Sequence, residues 1–472
     1  MSKTKIICTI GPACKSSQRI REMIEAGMDV ARLNFSHGDR KTHLNHIKLI
    51  RQVASELKRP IAVMGDLQGA KMRIGQVRTG RIILAKGDQI YLTPEDVNGT
   101  KEKVYVNYEN LARDVKKGDR ILLADGTIEL LVLASHGREV LCEVTNGGEL
   151  ASHAGLNLSQ ISTSISAITP KDLEDIRFGV EEGIDYLAMS FVRLGQDIKR
   201  LKDILEESGA DIPVIAKIET SQALTSLDEI LSLADGAMVA RGDLGVENPT
   251  ENVPLIQKDV IRRCNNLGIP VITATQMLRS MVWEPRPTRA EASDVANAIL
   301  DGTDALMLSE ETAIGGWPLK AVEMMSRIAE RTEETLDYEE ILRSREISSS
   351  MNQIPEAISH ATCRIAQDLS VDAIITFTIS GQTPRLVSKY RPKASIIGMT
   401  TSESTYRRLC LYWGVRPLKI SQIRNTDHMF LQAQAEALKA GVIKRGDTIV
   451  VTAGLPIEVR GTTNILRVMV VD

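Results

Sequence analysis

The chain has 472 residues, 43% of them apolar and 25% charged, with a formal net charge of -3. That length exceeds one ordinary domain, and the near-neutral balance gives no electrostatic basis for binding nucleic acid or an anionic membrane. No apolar run reaches the length of a membrane span, and the opening Met-Ser-Lys-Thr-Lys has no signal-peptide core. The cysteines Cys8, Cys14, Cys142, Cys264, Cys363 and Cys410 form no Cys-x-x-Cys pair, so reduced thiols in a cytoplasmic protein are expected.

Along the chain a unit recurs: an amphipathic helix, a glycine that caps it, then an apolar strand. It stands at Glu25 to Arg32 and Glu181 to Ala188, and again around Gly209, Gly236, Gly268 and Gly302. Adding the opening strand Lys5–Thr9 and the strand Pro60–Asp66, the candidates in order are Lys5–Thr9, Asp29–Phe35, Pro60–Asp66, Tyr186–Phe191, Pro213–Glu219, Gly236–Arg241, Pro270–Thr275 and Asp304–Ser309. Eight β-then-α units are the count of a closed (β/α)8 TIM barrel; an open doubly wound sheet is the alternative.

The stretch 67–167 breaks the rhythm. Its β signals (Arg81–Ala85, Gln89–Leu92, Val104–Val106, Arg120–Leu123, Val140–Val144) are separated by turns such as Asn98-Gly99 and Asp125-Gly126. We expect a small inserted β-barrel domain at the mouth of the larger barrel, placed to act as a lid. The barrel itself then comprises 1–66 and 168–340, and 341–472 forms a third, α/β domain. Helical signals run from Val322 to Arg345 and from Asn352 to Leu369. The strands expected after them are Ala373–Phe377, Ser395–Met399, Pro417–Ile420, Thr448–Thr452 and Leu466–Val471. The loop Thr378-Ile-Ser380-Gly381-Gln382-Thr383 precedes a helix; its hydroxyls and amides suit a phosphate, although a plain strand–helix turn has the same pattern.

Polar residues gather where the barrel strands end, the end at which such folds bind ligands. Strand two runs into Arg32, Asn34, Phe35, Ser36 and His37; strand three ends at Asp66, and strand five at Lys217 and Glu219. Strand six ends at Arg241, Gly242 and Asp243, strand seven at Thr275 and strand eight at Ser309. Glu219 and Asp243 are hard oxygen ligands for Mg2+ or Mn2+. Arg32 and Lys217 compensate a phosphoryl group. Thr275 and Ser309 either pass a proton, through water, or simply cap helices. Amides near Gly242 and Asp243 suit a carboxylate if they open a helix. Thr288-Arg-Ala-Glu291 is a helix-capping box and is given no chemistry.

These residues stand in stretches that resemble pyruvate kinases. The stretches are Thr4–Pro12, Ala31–Gly38, Ile215–Glu219, Met238–Glu247, Ala274–Leu278, Pro285–Glu291 and Ser293–Ala298, extended by Tyr390-Arg-Pro392 and Gly461-Thr-Thr-Asn464. The resemblance implies the last step of glycolysis: phosphoryl transfer from phosphoenolpyruvate to ADP, giving pyruvate and ATP. It implies Arg32 and Lys217 on the phosphoryl group, Gly242, Asp243 and Thr275 on the substrate, and Mg2+ (or Mn2+) on Glu219 and Asp243. It places Asn34, Phe35, Ser36, His37 and Arg73 on the nucleotide. A phosphorylated effector would sit at Thr378, Ser380, Gly381, Gln382 and Thr383, and the assembly would be a homotetramer.

Three departures from that family's pattern matter. Strand three continues Asp66-Leu-Gln-Gly-Ala-Lys71-Met-Arg73, with a lysine where an acidic residue accompanies a monovalent cation held near Asn34, Ser36, Asp66 and Leu67. An ammonium carries the same charge as K+, so K+ is expected to be dispensable. Ala154, beside His153, replaces a nucleotide-contacting lysine, and Glu310 stands in place of glycine after Ser309. Two other functions stay open at this point: a non-catalytic phosphoenolpyruvate-binding regulatory paralogue, and a Mg2+-dependent pyruvate-enolate lyase.

Overall fold

A computed structural model describes residues 2–158, 166–345, 353–422, 425–456 and 461–472. The expected helix start Asn352, and part of the expected insert at 159–165, lie outside them. Eight parallel strands close a barrel: Lys5–Thr9, Val30–Asn34, Ala62–Asp66, Tyr186–Met189, Val214–Ile218, Gly236–Ala240, Val271–Ala274 and Ala305–Leu308, strand one pairing with strands two and eight. Strands buried on both faces need continuous apolar runs rather than alternation; strands one, three and six are buried along their whole length. Closure excludes the open sheet. Gly268 acts as an expected cap: at φ 67 it donates its N–H to the carbonyls of Asn265 and Cys264 and ends the helix Val253–Leu267. Gly236 does not, since it opens strand six and the helix before it is capped at Ala234.

At the N-terminal rim an aspartate precedes each even strand and spans to the odd strand before it. Asp29 accepts the N–H of Ile6 at 3.0 Å, Asp185 that of Val63 at 2.8 Å, Asp235 that of Val214 at 2.9 Å and Asp304 that of Val271 at 2.9 Å. Each carboxylate's other oxygen faces a cation: Lys5 at 3.8 Å, Arg407 at 2.7 Å, Lys202 at 3.0 Å and Arg391 at 2.8 Å respectively. Arg391 and Arg407 come from the C-terminal unit, so this ring also docks the third unit onto the barrel.

Among the described residues the insert is a six-stranded sheet and a two-stranded sheet over one apolar core that includes Ile90, Ile121, Leu130 and Val140. Its longest strand, Ile128–His136, escaped the sequence reading because Leu130-Leu-Val-Leu133 masks the alternation of buried Ile128, Leu130 and Val132. The C-terminal unit is a five-stranded sheet whose last strand, Thr463–Val470, runs antiparallel to its neighbour. No described helix is long and apolar enough to cross a membrane.

Candidate active site

The expected polar strand ends lie at the barrel's C-terminal rim: Arg32, Asn34, Asp66 and Lys217 in the last residues of their strands, and Glu219, Arg241 to Asp243, Thr275 and Ser309 one to three residues beyond theirs. Strand five turns out of the barrel after Ile218, and Thr220 caps the next helix by accepting the N–H of Ala223. This leaves Lys217 and the 1%-exposed Glu219 side by side. Lys217 Nζ lies 2.9 Å from Glu219 Oε1 and 3.3 Å from Asp66 Oδ1, and donates to Ser190 Oγ at 2.5 Å. Arg32 binds Asp66 at 2.7 Å from the other side and donates to Thr9 Oγ1 at 2.9 Å.

The charges set each other's state. Burial opposes ionisation of Asp66, but Lys217 and Arg32 outweigh it and hold the carboxyl below its ordinary value. Burial likewise opposes charge on Lys217, and Asp66 and Glu219 overcome it, so the ammonium stays protonated. Glu219 is pushed up by burial; Lys217 offsets this in part, and the neighbouring Asp243 adds to the rise. Two carboxylates that repel across a gap beside an ammonium suit a divalent cation and an anionic ligand.

Strand six passes directly into the helix Arg241–Glu247. Arg241 is scaffold: it pairs with Asp294 at 2.7 Å and donates to the carbonyl of Thr275 at 2.9 Å. That anchor holds Thr275 and Gln276 at φ 69 and 57, a conformation costly for a β-branched threonine. The Thr275 hydroxyl is fully engaged, accepting the N–H of Gly242 at 2.8 Å and donating to the carbonyl of Ala274 at 2.7 Å. Gly242's amide, expected to meet a substrate carboxylate, is therefore satisfied by Thr275 in this state. Ser309 receives no cap bond of its own; its N–H goes to the buried Glu311 at 2.8 Å.

Asp243, Gly242, Thr275, Ser309 and Glu310 line a cleft of about 730 Å3, closed on the insert side by Lys71 and Asp125. Here two expectations change. Lys71 does not occupy the pocket of Asn34, Ser36, Asp66 and Leu67; its Nζ lies 2.8 Å from Asp243 Oδ1. Asp66 is already balanced by two cations, whereas Lys71 is the one cation paired with Asp243 among the described residues. In that pocket Asn34 Oδ1 instead accepts the N–H of Ser36, and the Leu67 carbonyl accepts from Ser190. The Phe35 ring, expected on the nucleotide side, packs in the core: it is 2% exposed, edge-on to His43 and Phe178, and its carbonyl accepts from Lys171 at 2.6 Å. His37 offers its carbonyl to His43, and Arg73 reaches the carbonyl of His153 at 3.1 Å, beside Ala154. Glu310 faces Arg279 at 4.0 Å, which offsets part of its added charge.

Sequence reasoning missed Glu247. It is one helical turn beyond Asp243 on the same short helix, accepts the N–H of Ser221 at 3.0 Å, and is raised to about 7 by burial. Its spacing from Asp243 was the available signal. Far from the rim, Thr378, Ser380, Gln382 and Thr383 line a separate cavity of about 260 Å3 with Thr462 and Thr463. Gly381, at φ 90, donates its N–H to Thr378 Oγ1 at 2.8 Å.

A lidded parallel barrel that sets a buried ammonium against an acidic pair at its strand ends is the build of a phosphotransferase. Comparison with known proteins narrows the class. The family model "Pyruvate kinase, barrel domain" matches residues 1–322, and "Pyruvate kinase, alpha/beta domain" matches 356–469. A pyruvate kinase of Geobacillus stearothermophilus is 48% identical over 473 residues, covering 100% of this chain and 80% of that relative. One from Staphylococcus aureus is 47% identical over 476 residues, covering 100% and 81%. The crystal structure of a pyruvate kinase from Cryptosporidium parvum superposes with a TM-score of 0.93 at 36% identity, covering 100% of this chain and 96% of that one. The chain belongs to the pyruvate kinase family and is a phosphotransferase.

Proposed function

We propose that this enzyme transfers the phosphoryl group of phosphoenolpyruvate to ADP and protonates the resulting enolpyruvate, and that Lys217, Arg32, Glu219, Asp243 and Thr275 carry the chemistry. The observation behind this is the convergence of the Lys217 ammonium on Glu219 and Asp66, with Asp243 raising Glu219 across the same gap. The donor set fits a divalent cation of the Mg2+ or Mn2+ kind: two carboxylate oxygens, with room for water and substrate oxygens. When bound there, such an ion neutralises the charge that develops on the migrating phosphoryl group.

Lys217 and Arg32 supply positive charge to the same group, and both are pre-oriented by Asp66, so no reorganisation is needed during transfer. Thr275, released from Gly242 by the substrate carboxylate, and Ser309 across the cleft supply hydroxyls on the path of the proton to the enolate carbon. Asn34, Ser36, His37 and Arg73 bound the nucleotide side; Ala154 removes one phosphate contact there, worth about 1.5 to 3 kcal/mol when charge-assisted. The charge of Lys71 within the cleft supports activity without added K+.

The hydroxyl-lined cavity at Thr378 to Thr383 supports a phosphorylated effector. Exposed Trp283 and Ile314, 67% and 61% accessible, support subunit contacts in a homotetramer. A lactate-dehydrogenase-coupled assay with phosphoenolpyruvate, ADP and Mg2+ tests the activity. Turnover is expected; tight phosphoenolpyruvate binding without turnover would instead select the regulatory paralogue.

A further inference from the structure

The chemistry above gives no reason for the ion pair between Lys71 and Asp243. Lys71 lies in the segment that leaves strand three for the insert, and the two side chains are only 20% and 27% exposed. Its stem is packed: Cε lies 3.4 Å from where a Cβ on Gly155 would stand, and Nζ is 5.8 Å from the Phe191 ring centre. Asp243 is also the carboxylate assigned above to a divalent cation. An ammonium and a metal ion draw on the same carboxylate, and their like charges repel at that range, so the two compete for Asp243.

We propose that Lys71 is a metal-released latch. In the metal-free protein its ammonium neutralises Asp243 and ties the root of the insert to the barrel; Lys71 gives up that oxygen when a divalent ion binds, and the root is freed. The insert has separate contacts with the same helix that spare the metal carboxylates. Asn157 bonds the Glu247 side chain, and a Cβ placed on Gly126 would stand 3.6 Å from Val246 Cγ1. Release of Lys71 therefore loosens the segment that leaves strand three while the contacts of Asn157 and of the turn at Gly126 stay in place. Metal loading and insert position become one equilibrium, and reciprocity requires that a displaced insert bind metal more tightly.

The inference rests on the reading of Glu219 and Asp243 as metal carboxylates, and the test separates the two. Mn2+ binding to the full chain without substrate is measured by the electron paramagnetic resonance of the free ion, in the wild type, Lys71→Met and Asp243→Asn. Amide hydrogen exchange of residues 67–76 is followed with and without Mn2+. Lys71→Met is expected to bind Mn2+ about fivefold more tightly, the scale of one partly exposed ion pair. Removing any nearby positive charge would tighten binding, so exchange isolates the latch. Mn2+ is expected to speed exchange of 67–76 in the wild type and to leave Lys71→Met, already fast, unchanged. Slower or unaltered exchange on adding Mn2+ to the wild type overturns the latch alone. Mn2+ binding that survives Asp243→Asn undiminished overturns the metal assignment beneath it.

Discussion

The two ends of the barrel use the same residue types for opposite purposes. At the N-terminal rim, Asp29, Asp185, Asp235 and Asp304 each spend one oxygen on a backbone N–H of the neighbouring strand and the other on a fixed lysine or arginine. At the C-terminal rim, Asp66 and Asp243 are satisfied by side chains, and Glu219 shares its oxygens between Lys217 and the N–H of Phe191. Backbone partners cannot leave, whereas side-chain ammonium groups can turn toward a substrate or yield to an ion. A carboxylate's partners, more than its burial, therefore mark it as structural or chemical.

The contrast is sharpest in variants. Lys217→Met is expected to lower kcat by roughly a thousandfold, the upper range for one electrostatic catalytic group, while the folded structure by circular dichroism is retained. At the opposite rim Asp304→Asn is expected to cost about 3 kcal/mol in urea unfolding, because Arg391 is left buried without its counter-charge, with kcat within about twofold of wild type. Equal losses of activity from both would erase the distinction.

Glu247 tests it through pH. Its folded value, about 7, lies above the ordinary 4.5, so between those values the folded chain keeps a proton that the unfolded chain has released. Stability is then lost as pH rises from about 4.5 to about 7 and is level outside that window, an effect of up to about 3 kcal/mol. Glu247→Gln is expected to flatten that slope in urea titrations taken across the range.

A smaller effect is expected at Lys71. Lys71→Glu should acquire a dependence on K+ of roughly tenfold in kcat/KM, about the worth of one compensated charge. Activity of the wild type should persist when K+ is replaced by a bulky inert cation. Smallest is the remote cavity, where Thr383→Val is expected to shift the concentration of a sugar-phosphate or nucleotide effector needed for activation by about threefold, leaving basal kcat untouched.

Much of this was legible in the residues. The glycine-marked repeats placed six strands and plain apolar runs the other two, because a doubly buried parallel strand needs an apolar run that local composition displays. The strand ends were drawn too long at Glu219, Arg241, Thr275 and Ser309, since a polar residue that leaves the sheet to face a ligand still follows the strand in sequence. The aspartates of the lower rim were not singled out, because an aspartate one or two residues from a glycine has the pattern of an ordinary turn. The Lys71 to Asp243 contact joins residues 172 positions apart, and no local pattern announces it. Phe35 was assigned to the nucleotide on its neighbours' account, although its ring belongs to the core.

The central claim is that a divalent ion on Glu219 and Asp243 and the Lys217 ammonium act on one phosphoryl group. Anomalous diffraction from crystals of the full chain soaked in Mn2+ addresses it most directly. One peak shared by Glu219 and Asp243, on the side that Lys217 faces, is the predicted result. A map in which Mn2+ binds elsewhere and neither carboxylate touches it would contradict the account.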